Sequence, residues 1–111
     1  MNERLDWIDE NTKIFIHKLS NKEGLTEEEV RLIVYEEYNE SFLTQVTTEV
    51  VDRRRWHDEI QVILQVQETG KYYAIYYFSG LTECQENEFE SQVAEEVKPY
   101  IVNKIEWRKL K

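Results

Sequence analysis

The chain has 111 residues, of which 41% are hydrophobic and 13% aromatic, with one proline and three glycines. This length and composition predict one ordered domain and exclude a largely disordered chain. The formal net charge of −9 argues against nucleic-acid binding over the whole surface, because neutralising phosphates is the main source of that affinity.

Two helices are predicted at the start of the chain. Apolar residues recur at helical spacing over residues 3–19. A second helix is predicted over residues 26–38, because Thr26 is a good N-cap and Glu29, three residues later, completes a capping box. The acidic residues 27–29 then fall in the first turn, where the helix dipole favours negative charge.

The rest of the chain predicts β-strands. Apolar residues alternate with glutamine over residues 60–67, and a turn at ETGK returns the chain as a strand over 71–78. Pro99 marks a break or a sheet edge, and Ile105 and Trp107 are predicted to face inward. The predicted strands cover residues 42–51, 56–67 and 71–79, and residues 93–97 and 100–107 are predicted to form one or two further strands.

The order of these elements predicts an α+β fold, with two N-terminal helices followed by an antiparallel sheet of four or five strands. Residues 1–111 are predicted to form a single domain, with a helical part at 1–40 and a sheet part at 41–111. The sequence leaves open whether the helices pack on the sheet or extend from it.

No catalytic constellation is predicted. His57 lies near carboxylates, but neighbours in a strand point to opposite faces, so His57 and Asp58 do not converge. His17 is expected at the surface. Acidic neighbours such as Glu83 disfavour a reactive thiolate at Cys84. The chain is therefore not expected to be an enzyme, and no cofactor is predicted.

Metal sites, disulfides and membrane spans are not expected either. Cys84 is the single cysteine, which excludes an internal disulfide and a cysteine-rich zinc site. Glutamates alternate over residues 86–90, but the aspartates and internal glycine of a calcium loop are missing. No signal peptide or long apolar run is present in the sequence, so a cytoplasmic protein is expected.

Two surfaces are candidates for binding a partner. The segment SGLTECQENEFESQ at residues 79–92 carries four glutamates and no lysine or arginine, and can imitate the charge of a nucleic-acid backbone. Arginines 53–55 beside Trp56, together with the tyrosines, form the rival surface. The candidate partner-binding residues are Glu27, Glu28, Arg54, Tyr73, Glu83, Glu86, Glu88 and Glu90.

Residues 53–100 contain an Arg-Trp strand start, an aromatic hairpin, and a Gly-Leu-Thr-Glu motif followed by Gln-Glu. The positions of this pattern are Arg55, Trp56, Tyr72, Tyr73, Tyr76, Gly80, Thr82, Glu83, Gln85 and Glu86. In this pattern the sequence resembles small accessory proteins carried by phages and prophages of Gram-positive bacteria. The resemblance implies a phage origin and no catalytic residue. Such genomes encode small acidic proteins that disable host enzymes, CRISPR nucleases among them.

The same motif predicts a shaped turn after the hairpin. Gly80 is expected to take a positive φ, since glycine adopts this conformation without steric cost. Thr82 is expected to cap a short turn with Gln85 as its partner. Such a turn would aim Glu83 and Glu86 outward.

The function expected from these observations is that of a phage-encoded acidic protein that binds and inhibits a host protein. The expected partner is a basic protein, such as a CRISPR-Cas or other defence nuclease, met through a DNA-like acidic surface. Direct binding to nucleic acid or membrane is not expected. The alternative is a phage structural or assembly module that self-associates through its sheet, and homo-oligomerisation is left open.

Overall fold

The structure, a computed structural model, describes residues 3–81 and 85–110, with side chains described from Asp6 onward. The predicted α+β fold is confirmed: in the described residues, two helices accompany a four-stranded antiparallel sheet and a small two-stranded sheet. The elements are α1 (Glu3–Ser20), β1 (Gly24–Leu25), α2 (Glu27–Val34), β2 (Leu43–Arg53), β3 (His57–Val66), β4 (Tyr72–Gly80), β5 (Gln92–Val93) and β6 (Glu95–Val97). The large sheet has the order β2-β3-β4-β6, and β1 pairs with β5 in the small sheet.

The predicted hairpin is the centre of the large sheet. Val62 of β3 lies opposite Ile75 of β4, and the pairing continues to Gln65 and Tyr72 beside the turn. Gly70 in that turn has a φ of 72°, a conformation that glycine adopts freely. The alternation of apolar and polar residues in β3 therefore indicated both the strand and its buried face.

Both helices pack on one face of this sheet. Helix α1 contributes Phe15 and Leu19 to the core, and α2 contributes Val30 and Ile33. These side chains contact inward-facing residues of the strands, and each of those strand residues is 3% exposed or less. The inward strand residues are Leu43, Val62, Leu64, Val66, Tyr73 and Ile75.

The capping box at the start of α2 is confirmed. The Thr26 N–H donates to Glu29 Oε1 at 2.9 Å, and the Glu29 N–H donates to Thr26 Oγ1 at 3.1 Å. Lys18 of α1 donates to the same glutamate at 2.6 Å. Partial burial raises the pKa of Glu29, but the hydrogen bonds from Lys18 and Thr26 outweigh it and leave the pKa below its usual value.

The predicted end of α2 at Tyr38 is wrong, because the helix ends at Val34. Glu36 has a φ of 59°, and its N–H donates to the Ile33 carbonyl, while the Glu37 N–H donates to that of Leu32. These two bonds form a Schellman motif, in which a left-handed residue closes the helix. Beyond it Tyr38 returns to the core, and its burial raises its pKa to about 12.

A buried threonine joins α1 to the segment before β2. Thr12 is fully buried, and its Oγ1 accepts from the Asn39 N–H at 2.8 Å and donates to the Ile8 carbonyl at 2.7 Å. The Asn39 side chain also donates to Asp9 at 2.8 Å. These bonds fix the connection between the helices and the sheet, and no periodicity in the sequence indicated them.

The predicted strand at residues 100–107 is wrong. Of the described residues, 98–110 contain no helix or strand, and Ile105 and Trp107 are 84% and 92% exposed instead of facing inward. The edge of β4 on that side is already occupied by β6. No helix in the described part of the chain is both long and apolar enough to cross a membrane.

Candidate protein-binding site

The glutamates of the acidic segment alternate with inward-facing residues. Glu86, Glu88 and Glu90, here termed the acidic strip, are exposed, whereas Asn87 and Phe89 between them are half-buried. This alternation is that of an extended strand, in which residues two apart lie about 6.6 Å from each other. The acidic strip is therefore a row of three outward carboxylates.

Backbone and side-chain hydrogen bonds hold this segment against β4. Phe78 and Glu88 exchange two backbone hydrogen bonds, of 3.0 and 2.8 Å. The Gln92 side chain then accepts from the Tyr76 N–H at 2.8 Å and donates to the Tyr76 carbonyl at 2.7 Å. Between the Phe78–Glu88 pair and β6, the Gln92 side chain thus makes the two backbone hydrogen bonds that a neighbouring strand would make with Tyr76.

The inward side chains attach the acidic strip to the end of α2. Asn87 accepts from the Gly80 N–H at 3.0 Å and donates to the Tyr35 hydroxyl at 3.3 Å. Phe89 packs edge-on against Tyr35 and stacks on Tyr77, with ring centroids 5.7 and 5.6 Å apart. Such aromatic pairs add to the stability that burial of the rings supplies.

The predicted positive φ at Gly80 is wrong, since Gly80 lies within β4 and has no positive φ. Glycine is needed there for space: a Cβ on Gly80 would overlap the backbone carbonyl of Gln85. The predictions that concern Thr82, Glu83 and Cys84 fall outside the described residues.

The acidic strip and arginines 53–55, here termed the arginine cluster, were predicted as rival surfaces, but parts of both line one groove. The Arg54 guanidinium lies 5.1 Å from the centre of the Phe78 ring and pairs with Asp52 at 3.4 Å, while that of Arg55 lies 4.9 Å from the Trp56 ring. The groove has a volume of about 350 Å³. Its lining residues are Arg54, Arg55, Trp56, His57, Phe78, Glu88 and Glu90.

His57 supports the acidic strip from inside this groove. Its Nε2 lies 3.1 Å from the Glu86 carbonyl and 3.8 Å from Glu88 Oε1, and its side chain is 18% exposed. His17, as predicted, is exposed, and it pairs with Glu23 at 2.9 Å. Among the described residues, no cluster of three or more His, Cys, Asp or Glu could hold a metal ion.

Glu27 and Glu28 flank the acidic strip on its other side. They line a second surface cavity of about 560 Å³ together with Asn87 and Phe89. The Arg31 Nε donates to Glu28 at 3.0 Å, and this hydrogen bond lowers the pKa of Glu28. Glu28 is therefore already paired with a cation within its own helix.

Tyr73, predicted as an exposed partner-binding residue, is buried. It is 3% exposed and lies opposite Leu64 on the core face of the sheet, because alternate residues of β4 point inward. The aromatic residues that do reach the surface near the acidic strip are Trp56 and Tyr35, each 51% exposed. In the sequence, the arginines next to Trp56 are the signal that indicates its exposure.

Fold and site together define an α+β protein that presents an ordered, mixed-charge surface at one end of its sheet. Comparisons with protein-family models, curated proteins and solved structures found no significant match.

Proposed function

We propose that the protein binds a basic protein of its host and inhibits it, with the acidic strip as the main contact. The observation that supports this proposal is the double attachment of the strip. Glu88 is paired through its backbone with Phe78, and the inward Asn87 and Phe89 contact Tyr35. The backbone that carries the carboxylates is thereby ordered before any partner arrives, which lowers the entropic cost of binding.

The charge of the acidic strip favours a partner that binds nucleic acid. A groove lined with lysine and arginine attracts regularly spaced negative charges, whether they belong to phosphates or to carboxylates. Arg54 and Arg55 across the groove repel a uniformly basic surface, but they suit a protein surface with acids beside its bases. The partner we propose is a defence nuclease, CRISPR-Cas enzymes among them, in the cytoplasm of the host cell. The protein itself acts by binding and not by catalysis.

The test replaces Glu86, Glu88 and Glu90 with Gln and compares the variant with an Asp6→Asn, Glu10→Gln, Glu68→Gln control. Both variants lose three negative charges, and the control acids are exposed residues outside the site. DNA cleavage by purified bacterial defence nucleases, including guide-loaded CRISPR enzymes, is measured as the protein is titrated in.

We expect inhibition of one nuclease that weakens as salt rises, because exposed charges are screened within about 8 Å at physiological ionic strength. The strip variant should need at least tenfold more protein for the same inhibition, and the control no more than twofold. Equal losses in both variants would show that only overall charge matters. Absence of inhibition across the nucleases would contradict the proposed partner class.

A second candidate function, a structural module of a phage assembly, is favoured by one observation. Strand β2 is an edge strand whose outer side pairs with no described residue, and its Val46 and Val51 are 49% and 45% exposed. Open edges of this kind promote association between chains.

A further inference from the structure

Residues 98–110, here termed the basic arm, contain the most exposed large apolar side chains of the described residues. The last fourteen residues of the sequence carry five basic residues and one acidic residue. A contiguous exposed apolar stretch marks an interaction surface more often than a chance feature. The apolar side chains of the basic arm and their exposures are Tyr100 84%, Ile101 93%, Val102 60%, Ile105 84%, Trp107 92% and Leu110 97%.

Strand β2 offers the matching open edge. On the opposite side of the sheet, β6, Glu88 and the Gln92 side chain occupy the edge of β4. No residue in the described ranges pairs with the outer side of β2, and three of its valines are between 38% and 49% exposed. An unpaired strand edge is a template on which another segment can add as a strand.

The basic arm and β2 agree in length and in charge. Strand β2 has 11 residues. Residues 100–110 of the arm, with no proline among them, span about 36 Å when extended, which is the length of such a strand. Residues 1–97 carry 22 acids against nine bases, and β2 itself carries Glu49 and Asp52 against Arg53. A basic arm is therefore attracted to this edge.

The start of the basic arm is already close to β2. Residues 97–100 line a cavity of about 430 Å³ on the outer face of the sheet, together with Val46, Thr47 and Glu49 of β2. Beyond this point the arm leaves the surface and does not pair with the β2 strand of its own chain. The edge that the arm can reach next belongs to a neighbouring copy.

We propose that two copies form a dimer in which the basic arm of each adds as a strand to the β2 edge of the other. Direct pairing of two β2 edges is disfavoured, because bulges between Gln45 and Thr47 and between Val50 and Asp52 interrupt the strand. An arm without fixed contacts can follow such an edge. Exchange of identical segments is a low-cost route to dimers. The dimer uses no residue of the acidic strip, so either proposal can fail without the other.

The experiment is sedimentation equilibrium of the full chain and two variants. An arm variant, Ile105→Glu with Trp107→Glu, removes two exposed apolar anchors and adds two negative charges to the arm. An edge variant, Val46→Lys with Val51→Lys, places lysines on the open edge, where they repel the basic arm. Asp6→Asn with Glu10→Gln matches the charge change of the edge variant. Circular dichroism verifies that every variant is folded.

We expect a dimer for the parent chain and the charge control, and at least a tenfold weaker dimer for each variant alone. Mixing the two variants should restore association, because the intact arm of the edge variant meets the intact edge of the arm variant. A parent chain that stays monomeric would overturn the proposal. So would an arm variant that still dimerises, since that result shows direct pairing of β2 edges, and so would a mixture that stays monomeric.

Discussion

The acidic strip and the basic arm both follow β4, and both are rich in residues that suit an extended chain. The strip segment is ordered because each inward residue meets a partner: Asn87 bonds to Tyr35, Phe89 packs on Tyr77, and Gln92 bonds to Tyr76. The apolar residues of the basic arm meet no such surface in the described part of the chain. A sequence that favours β-structure is therefore ordered only where its backbone can pair with a strand edge and its inward side chains have residues to contact.

This difference in order also suits the two regions to different kinds of binding. Under the two proposals, the acidic strip presents its charges on an ordered backbone, which suits recognition of a rigid partner at little entropic cost. The basic arm would become ordered on binding, so its affinity would depend on how much apolar surface it buries with its partner.

The largest effect should follow from damage to the sheet that supports both regions. Leu64 is fully buried, so Leu64→Asp should cost at least about 4 kcal/mol, comparable with the whole stability of a small domain. Thermal melting followed by circular dichroism should show no cooperative transition. The neighbouring Gln65→Asp, on the outer face, should cost no more than about 1 kcal/mol. Parent-like melting of the Leu64 variant would refute the face assignment of β3.

The next effect should appear where the strip segment returns to β4. Gly80→Ala should destabilise the fold by about 1–3 kcal/mol, because the added Cβ meets the Gln85 backbone and the segment has to shift. Gly24→Ala is the matched control, since a Cβ there has open space. Denaturant unfolding measures both. A Gly80 variant as stable as the Gly24 variant would show that the close approach is not required.

A smaller effect should follow from loss of the side chain that imitates a strand. Gln92→Ala removes two hydrogen bonds to the Tyr76 backbone and should cost about 1–2 kcal/mol of unfolding free energy. Gln65→Ala serves as a control, because that side chain makes one long contact of 3.4 Å. If both variants unfold at the same denaturant concentration, Gln92 does not hold the segment.

The smallest effect on the single chain should come from the basic arm. Removal of residues 100–110 should change the unfolding free energy by less than about 0.5 kcal/mol in dilute solution, because these residues are exposed and outside the core. The measurement is denaturant unfolding at a concentration where the parent chain is monomeric. A loss of several kcal/mol would mean that the arm packs on its own body.

Periodicity in the sequence was enough for the sheet and the start of α2. Alternation over residues 60–67 indicated the buried face, and Thr26 with Glu29 indicated the cap, because both signals are local. The end of α2 was missed, since Glu36 occupies a left-handed position where glycine is usual. The strand predicted at 100–107 failed because strand formation depends on tertiary pairing: β6 occupies the edge of β4, and the basic arm does not pair with β2 of its own chain.

The candidate site was only partly predictable for the same reason. The glutamates of the strip were named from composition, but their anchors were not, because Tyr35, Phe89 and Gln92 meet residues distant in sequence. The joining of the arginine cluster and the acidic strip in one groove likewise depends on the bridge between Phe78 and Glu88. Tyr73 was misplaced because an aromatic run conceals which of its residues face the core.

Amide hydrogen exchange in dilute solution tests most directly whether the acidic strip is preformed. The Glu88 N–H donates to the Phe78 carbonyl at 2.8 Å, and the Tyr76 N–H donates to Gln92 at 2.8 Å, so both amides should exchange slowly. The amides of residues 100–110 should exchange at the rate of an unstructured peptide. Exchange of the Glu88 amide as fast as that of the basic arm would contradict the account, because the strip would then be no more ordered than the arm.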